Sequence, residues 1–283
     1  MIRHPEVNVA LTYINDTPRS NWYREILKNL VKDRTVFEVG TGVGLLGAYC
    51  LEFGASHYYG VDVRSARTAL TRDILDHAGY HGRHSVSTAD FLSLTPDDVP
   101  QNIDIFLCEP LGCQFITNST MKKIWSHANQ IFKTPYVSVP DVWAIDVAVY
   151  EGQLDNNLSD CQPRVMLNYD SLPRGFYDAV NNTNLIKPSQ TFDGIVKIGP
   201  GTCDQKIEFV LDLTEYKSAT VVVKDHTSYQ GLPCLGISYT TDWPPPQKLL
   251  VPRAGKKFLF SWDPTARRLP EFYNGFWTWQ ECQ

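Results

Sequence analysis

Basic charge is in short supply in this sequence of 283 residues: 26 lysines and arginines stand against 31 aspartates and glutamates, a formal net charge of −5. Proteins whose main task is nucleic-acid binding carry a basic surplus, so direct nucleic-acid binding is not expected. The mildly acidic balance suits a cationic partner instead. No apolar run is long enough to span a bilayer, so no membrane role is expected. Met1-Ile2-Arg3-His4 starts without the apolar core of a signal peptide. The seven cysteines are an odd count, and no two stand in C-x-x-C spacing. They read as reduced thiols, which places the chain in the cytoplasm, with the nucleus also open. The sequons at Asn15, Asn118, Asn157 and Asn181 are then chance matches. A nucleophile elbow and a Ser–His–Asp arrangement are both missing, which argues against a serine hydrolase. There is no internal repeat, and low complexity is confined to Pro244-Pro245-Pro246.

What is present is ordinary soluble composition, 43% hydrophobic and 20% charged, in a length that allows one large domain or two small ones. Residues 1–34 read as helical: Asp16-Thr17-Pro18 resembles a cap followed by an early proline, and Trp22, Ile26, Leu27 and Leu30 recur at helical spacing. Strand-like runs at Thr35–Val39, Tyr58–Val63, Ser85–Thr88, Ile103–Cys108 and Tyr136–Val139 then alternate with helical stretches at Leu45–Phe53, Ala66–His77 and Ser119–Phe132. That rhythm predicts an α/β domain over 35–139, a Rossmann-like parallel sheet with covering helices. From Pro140 the rhythm changes to short runs rich in Val, Ile and aromatics: Trp143–Tyr150, Phe192–Ile198, Lys206–Leu213, Thr220–Lys224, Leu235–Thr240, Lys248–Val251 and Lys256–Trp262. Residues 140–283 are therefore expected to form an antiparallel β-barrel or sandwich, with one helical stretch near Leu172–Asn181.

The densest chemical signal lies in Val36-Phe37-Glu38-Val39-Gly40-Thr41-Gly42-Val43-Gly44, where a strand runs into a helix. Glycines there let the backbone turn tightly and approach a ligand, and the helix start supplies free N–H groups. Glu38 precedes the first glycine by two positions, and Asp62 ends the next strand, where a carboxylate can accept both hydroxyls of a ribose. A dinucleotide fold binding NAD is the alternative. Its fingerprint is G-x-G-x-x-G, whereas these glycines fall at 40, 42 and 44. The spacing and Glu38 point to S-adenosylmethionine. In this kind of fold the end of the third strand, Thr88-Ala89-Asp90, holds the adenine; Asp90 reads equally well as a surface turn residue.

Three further segments carry a family resemblance. Tyr13-Ile14-Asn15-Asp16-Thr17-Pro18-Arg19-Ser20-Asn21-Trp22-Tyr23, Asp104-Ile105-Phe106-Leu107-Cys108-Glu109-Pro110-Leu111-Gly112, and Thr241-Asp242-Trp243 followed by Gln247 stand in an order that resembles the protein arginine methyltransferases. They match, in turn, that family's N-terminal helix pattern, its double-glutamate loop and its Thr-His-Trp loop. The resemblance runs from about residue 10 to the end. It implies that Arg19 binds the methionine carboxylate of the cofactor, a bidentate task suited to guanidinium. It implies that Glu38, Gly40, Gly42 and Gly44 line the cofactor and that Asp62 holds its ribose. Glu109 would grip a substrate guanidinium. The implied substrate is an arginine-containing protein or peptide, and a homodimer or a related partner is implied as well.

The substrate side departs from the family pattern. The second glutamate of the loop corresponds to Asn118, the loop tyrosine to Cys113, and the histidine of Thr-His-Trp to Asp242. That histidine pairs with an aspartate that here matches Asp16; two carboxylates facing each other need a cation between them. Tyr13 stands where the family has the methionine that limits room at the methylated nitrogen. The stretch of the dimerisation arm, near 150–182, is short. One expectation is an active arginine methyltransferase in which Asp242 replaces the missing carboxylate and the bulk of Tyr13 favours monomethylation. A second is a catalytically weak relative that acts by association. A third is a methyltransferase for a small amine or another guanidinium compound.

Other clusters carry less. His77, His81 and His84 span a helix end and a turn, without the partners a metal site needs. Cys108 and Cys113 flank Glu109 without a second cysteine pair, so zinc is not expected. The aromatics in Phe272–Trp279 read as core or interface.

Overall fold

Strand and helix alternate from Thr17 to Val139 in the computed structural model, which describes residues 14, 17–108, 120–151, 190–202, 207–217, 219–234, 247–250, 256–262 and 277–282. The first helix, α1 (Thr17–Leu30), turns Tyr23 and Leu27 inward, and Val31 continues the line one turn on, all three at 0% exposure. This i, i+4 spacing is the buried stripe of a helix. Trp22, Ile26 and Leu30 flank it and are partly buried.

The parallel sheet contains β1 (Thr35–Val39), β2 (His57–Asp62), β3 (His84–Thr88), β4 (Ile105–Cys108) and β5 (Val137–Val139). Their order is β3-β2-β1-β4-β5, with every pair parallel. Helices α2 (Leu45–Glu52), α3 (Ser65–His77) and α4 (Thr120–Ile131) make the connections. Strands buried on both faces explain the near-continuous apolar runs. Val36, Tyr58, Ile105 and Leu107 pack with Tyr23 and Leu27 of α1, Leu46, Cys50 and Leu51 of α2 and Leu75 of α3. Phe37, Val61 and Phe106 point the other way, into a cluster with Ile124, Trp125 and Phe132. Trp125 is fully buried, and its indole N–H donates to Ser138 Oγ at 3.0 Å.

Beyond Pro140 the strand pairing among the described residues is antiparallel. β6 (Val142–Glu151), β7 (Gln190–Ile198), β9 (Ala219–Tyr229), β10 (Leu232–Pro233) and β11 (Gln247–Leu250) form one sheet, and β8 (Ile207–Asp212), β12 (Lys257–Trp262) and β13 (Trp277–Glu281) form another. In β8 the alternation is plain: Phe209 and Leu211 are buried while Glu208, Val210 and Asp212 are exposed. Trp143, Val149, Phe209, Leu211 and Phe258 join the same apolar cluster as Phe37 and Phe106, so one core runs from the parallel sheet into the antiparallel sheets. Helix α1 is tied to the second half by Trp22, whose Nε1 donates to the Leu232 carbonyl at 3.1 Å.

The fold class read from the sequence holds: a Rossmann-like parallel sheet followed by antiparallel sheets. Three strands differ from expectation, one of them the short β10, which the sequence pattern did not suggest. β9 continues past Lys224 to Tyr229, because β6 pairs with it along its whole length and carries the polar Asp225-His226 within the ladder. Trp277–Glu281 is a strand paired to β12, where the sequence pattern suggested only packed aromatics. The strand expected at Leu235–Thr240, the helix at Leu172–Asn181 and the arm beyond Glu151 lie outside the described residues. Among the described residues no helix is long and apolar enough to cross a membrane. The described cysteines, Cys50, Cys108, Cys234 and Cys282, form no disulfide.

Candidate functional site

Strand order reverses between β1 and β4, and a sheet of this kind opens a crevice at the carboxyl ends of its strands there. The loop leaving β1 at this point has three left-handed glycines, Gly40 (φ +82°), Gly42 (φ +58°) and Gly44 (φ +81°). They do different work. A Cβ on Gly40 or Gly42 would meet nothing within 4 Å, so these two leave room for another molecule. A Cβ on Gly44 would lie 2.7 Å from Thr71 Cγ2 of α3. Gly44 also starts α2, and its N–H donates to the Thr41 carbonyl at 2.8 Å. Packing against α3 thus requires glycine at position 44.

Asp62 pins this loop from the end of β2. Its carboxylate accepts the Gly42 N–H at 3.1 Å and the Arg64 N–H at 2.9 Å, and Arg67 Nη1 stands 3.9 Å away. A carboxylate has about four acceptor positions, so two backbone bonds leave capacity for hydroxyl donors. Val63 follows, 65% exposed, an apolar surface at the mouth of the crevice.

Glu38 lies deeper, 3% exposed, and Tyr58 donates a 2.5 Å hydrogen bond to its Oε2. Burial pushes its carboxyl up to about 8, against the opposing pulls of the Tyr58 hydrogen bond and the Arg19 charge. Helix α1 carries Arg19 to this point: the residue is 4% exposed, and its guanidinium lies 5.3 Å from the centroid of the Tyr23 ring and is near enough to favour the Glu38 carboxylate. Two buried hydroxyls in the same region, Tyr23 OH and Thr41 Oγ1, make no hydrogen bond. Such groups are costly unless something satisfies them.

The structure therefore brings Arg19, Glu38, Gly40, Gly42 and Asp62 to one edge of the sheet. Asp90 follows Ala89, whose N–H donates to the Asp62 carbonyl at 3.1 Å, so it stands at the neighbouring strand end. It is exposed and accepts the Leu92 N–H at 3.0 Å, capping the 3-10 turn Phe91–Ser93. Tyr13, Asp16, Glu109, Cys113, Asn118, Asp242 and Trp243 lie outside the described residues. Cys108, which precedes Glu109 in the chain, pairs with Val39 beside Gly40.

Sequence reasoning missed Tyr58. Only tertiary packing reveals it: its ring fills the space left by Gly47 and Gly60, where added Cβ atoms would come within 2.6 Å of Tyr58 Cζ and 2.8 Å of its hydroxyl. Elsewhere, His81 and His84 both contact Asp76 Oδ1, at 2.9 and 3.0 Å, and no group able to hold a metal ion occurs among the described residues. A cavity of about 570 Å³ opens on the far face of β2 and β3, bordered by Tyr59, Ser85, Asp97 and Asp98. None of the candidate residues lines it.

No protein-family model matches the chain. Among curated proteins, it is 25% identical over 160 residues to protein arginine N-methyltransferase 6 of Xenopus laevis, covering 54% of this chain and 46% of that protein. It is 25% identical over 142 residues to protein arginine N-methyltransferase 1 of Saccharomyces cerevisiae, covering 49% and 40%. Over about half its length the chain is similar to protein arginine N-methyltransferases. It spans less than half the length of these curated relatives. Among solved structures, the crystal structure of PRMT6 superposes with a TM-score of 0.65 at 13% identity, covering 99% of both chains. The Trypanosoma brucei PRMT1 enzyme–prozyme heterotetrameric complex with AdoHcy gives 0.59 at 16% identity, covering 94% of this chain and 89% of that one. At these identities the arginine methyltransferase structures speak for the fold: a parallel sheet with helices, followed by antiparallel sheets.

Proposed function

We propose that this chain is an S-adenosylmethionine-dependent protein arginine N-methyltransferase that favours monomethylation. The observation that carries the reading is the meeting of Arg19, Glu38, Asp62 and the open glycines Gly40 and Gly42 where the strand order reverses. These residues fit the cofactor by donor chemistry. Arg19 suits a carboxylate, Glu38 an ammonium, Asp62 a pair of ribose hydroxyls, and Val63 an apolar ring face. The unpartnered hydroxyls of Tyr23 and Thr41 supply further polar contacts. S-adenosylmethionine, when bound, supplies a methyl group on a sulfonium.

On the substrate side the assigned residues are Glu109 and Asp242, with Asn118, Asp16 and Trp243 around them. An arginine side chain is a poor nucleophile because its lone pairs are delocalised. Glu109 and Asp242 orient the guanidinium and draw its positive charge away from the nitrogen that attacks, so positioning and electrostatics supply the acceleration. The bulk of Tyr13 leaves less room for a nitrogen that already bears one methyl. The partner is an arginine-containing protein or peptide, and the setting is cytoplasmic or nuclear.

The reading is tested by methyl transfer from labelled S-adenosylmethionine to an arginine-rich peptide. The wild type is expected to form mainly monomethylarginine. Glu109→Gln is expected to lower kcat at least about 100-fold and Asp242→Asn about tenfold, the range for removing one electrostatic group from a site. Full activity in Glu109→Gln overturns the assignment of the substrate side. A second reading, a catalytically weak chain acting by association, is favoured by the uncharged Cys113 and Asn118 and by Asp242 in place of histidine. S-adenosylhomocysteine binding without turnover on any arginine peptide decides for it.

A further inference from the structure

The hydrogen bond from Tyr58 to Glu38 has an architecture of its own. Tyr58 sits on β2, one strand away from Glu38, which pairs across with Gly60. Its ring is fully buried, 0% exposed, beneath the loop that leaves β1. Gly47 of α2 closes on Tyr58 Cζ, Cε1 and Cε2, where a Cβ would lie 2.6 to 2.9 Å away. Gly60 on its own strand approaches the hydroxyl in the same way, at 2.8 Å. A Cβ at either position would require the ring to shift. Gly47 thus makes space for the phenol, and Gly60 for the phenol and for Thr41, whose Cγ2 would lie 2.5 Å from the added Cβ; the phenol is the hydrogen-bond donor to Glu38 among the described residues.

We propose that Tyr58 is a positioning residue for the cofactor: held between Gly47 and Gly60, its hydroxyl fixes the Glu38 carboxyl in the orientation that meets the cofactor's ammonium group. The inference rests on the methyltransferase reading above, which supplies the ligand. Around Glu38 stand Arg19 and Tyr23 of α1, Cys50 of α2, Tyr58 and Asp62 of β2, and Cys108 of β4; Tyr58, Arg19 and Asp62 act on its carboxyl, whereas Glu38 itself pushes Tyr23, Cys50 and Cys108 up. Two of these groups favour the charged carboxylate, first the Tyr58 hydrogen bond and then the charge of Arg19. A phenol that donates to a buried carboxylate stabilises its ionised form, and the ionised form is the one that pairs with an ammonium. Without the hydroxyl, Glu38 holds its proton to higher pH and its free oxygen is no longer aimed.

The test measures S-adenosylhomocysteine affinity by calorimetry from pH 6 to pH 9 in the wild type, Tyr58→Phe, Glu38→Gln and the double variant. Tyr58→Phe keeps the ring and its packing, and circular dichroism checks the fold. It is expected to weaken binding about tenfold at pH 7, the worth of one hydrogen bond to a charged group. The loss is expected to shrink toward pH 9, where Glu38 ionises unaided. In the Glu38→Gln background the same change is expected to cost less than threefold, because the partner it acts through is gone. Gly47→Ala, which crowds the ring, is expected to mimic Tyr58→Phe. Unchanged affinity in Tyr58→Phe, an equal loss in both backgrounds, or a loss that does not vary with pH overturns the proposal. Absence of binding in the wild type overturns the methyltransferase reading itself, so the two failures are distinct.

Discussion

Two regions of the chain treat charge in opposite ways. At the crevice of the parallel sheet, Arg19, Glu38 and Asp62 are all at most 6% exposed. In the antiparallel half the charged pairs lie on the surface: Lys257 Nζ stands 2.8 Å from Asp212 Oδ2 with both side chains about half exposed, and Lys256 pairs with Glu281 in the same manner. Surface pairs of this sort contribute little, because water competes and both side chains lose freedom. Buried charges are expensive, and replacing them with apolar groups often stabilises a protein. A fold that gathers three of them at one strand edge has a use for them there beyond stability. The difference separates a crevice where charge is gathered and buried from sheet surfaces where charges pair in water.

The contrast is tested most severely at Arg19. Arg19→Ala is expected to weaken S-adenosylhomocysteine binding by at least about 100-fold, within the 2–5 kcal/mol typical of removing one member of a buried charged contact. Lys257→Ala is expected to change it less than twofold. Calorimetry on both variants reads the difference directly. Similar losses in the two would erase the distinction between the regions.

The two regions also have opposite pH slopes. Glu38 ionises at about 8 in the folded chain, raised from an ordinary value of 4.5 by burial. Between those values the unfolded chain has released the proton while the folded chain retains it, so Glu38 lowers stability as pH rises through that window. Asp212 is held down to about 2 from 3.8, chiefly by hydrogen bonds from Lys257 and Thr214. Its contribution is present above 3.8 and is lost as pH falls toward 2. Glu38→Gln is therefore expected to raise the melting temperature of the free protein at pH 8 more than at pH 5. Asp212→Asn is expected to lower it slightly at pH 7 and not at pH 2. Thermal melts across pH read both slopes, and slopes of the same sign would refute the assignment.

The legibility of these features followed their range in the chain. The strands of the parallel sheet could be read to within a residue or two, because burial on both faces leaves a run such as Val36-Phe37 without polar interruption. Glu38, Asp62 and the glycine loop were legible for a similar reason: their chemistry is fixed by position at a strand end. Tyr58 was not. Its role depends on Gly47 and Gly60 leaving space around it, and no local pattern in a single sequence marks that. Asp90 looked equally like a ligand residue and a turn residue, and it caps a turn directly after a strand end bonded to Asp62, so both readings stand. β9 was read short because strand pairing along β6, and not local apolar content, sets its length.

The glycine loop contains the same contrast in miniature. Gly42 and Gly44 look alike in sequence, and both have positive φ. Any side chain there costs about 1 kcal/mol for the left-handed backbone alone. Gly42→Ala adds a methyl group to open space, so its cost to folding stops near that value. The same methyl stands beside the loop N–H that Asp62 holds, where a bound molecule approaches, so binding suffers more. Gly44→Ala places its Cβ 2.7 Å from Thr71 Cγ2, forcing α2 and α3 apart. Overpacking adds about 1–3 kcal/mol to the backbone cost. Denaturant unfolding is expected to rank Gly44→Ala as the less stable variant. Calorimetry with S-adenosylhomocysteine, under conditions where both are folded, is expected to rank Gly42→Ala as the weaker binder. If Gly44→Ala is the weaker binder as well, Gly44 faces the cofactor after all, and the division of labour within the loop fails.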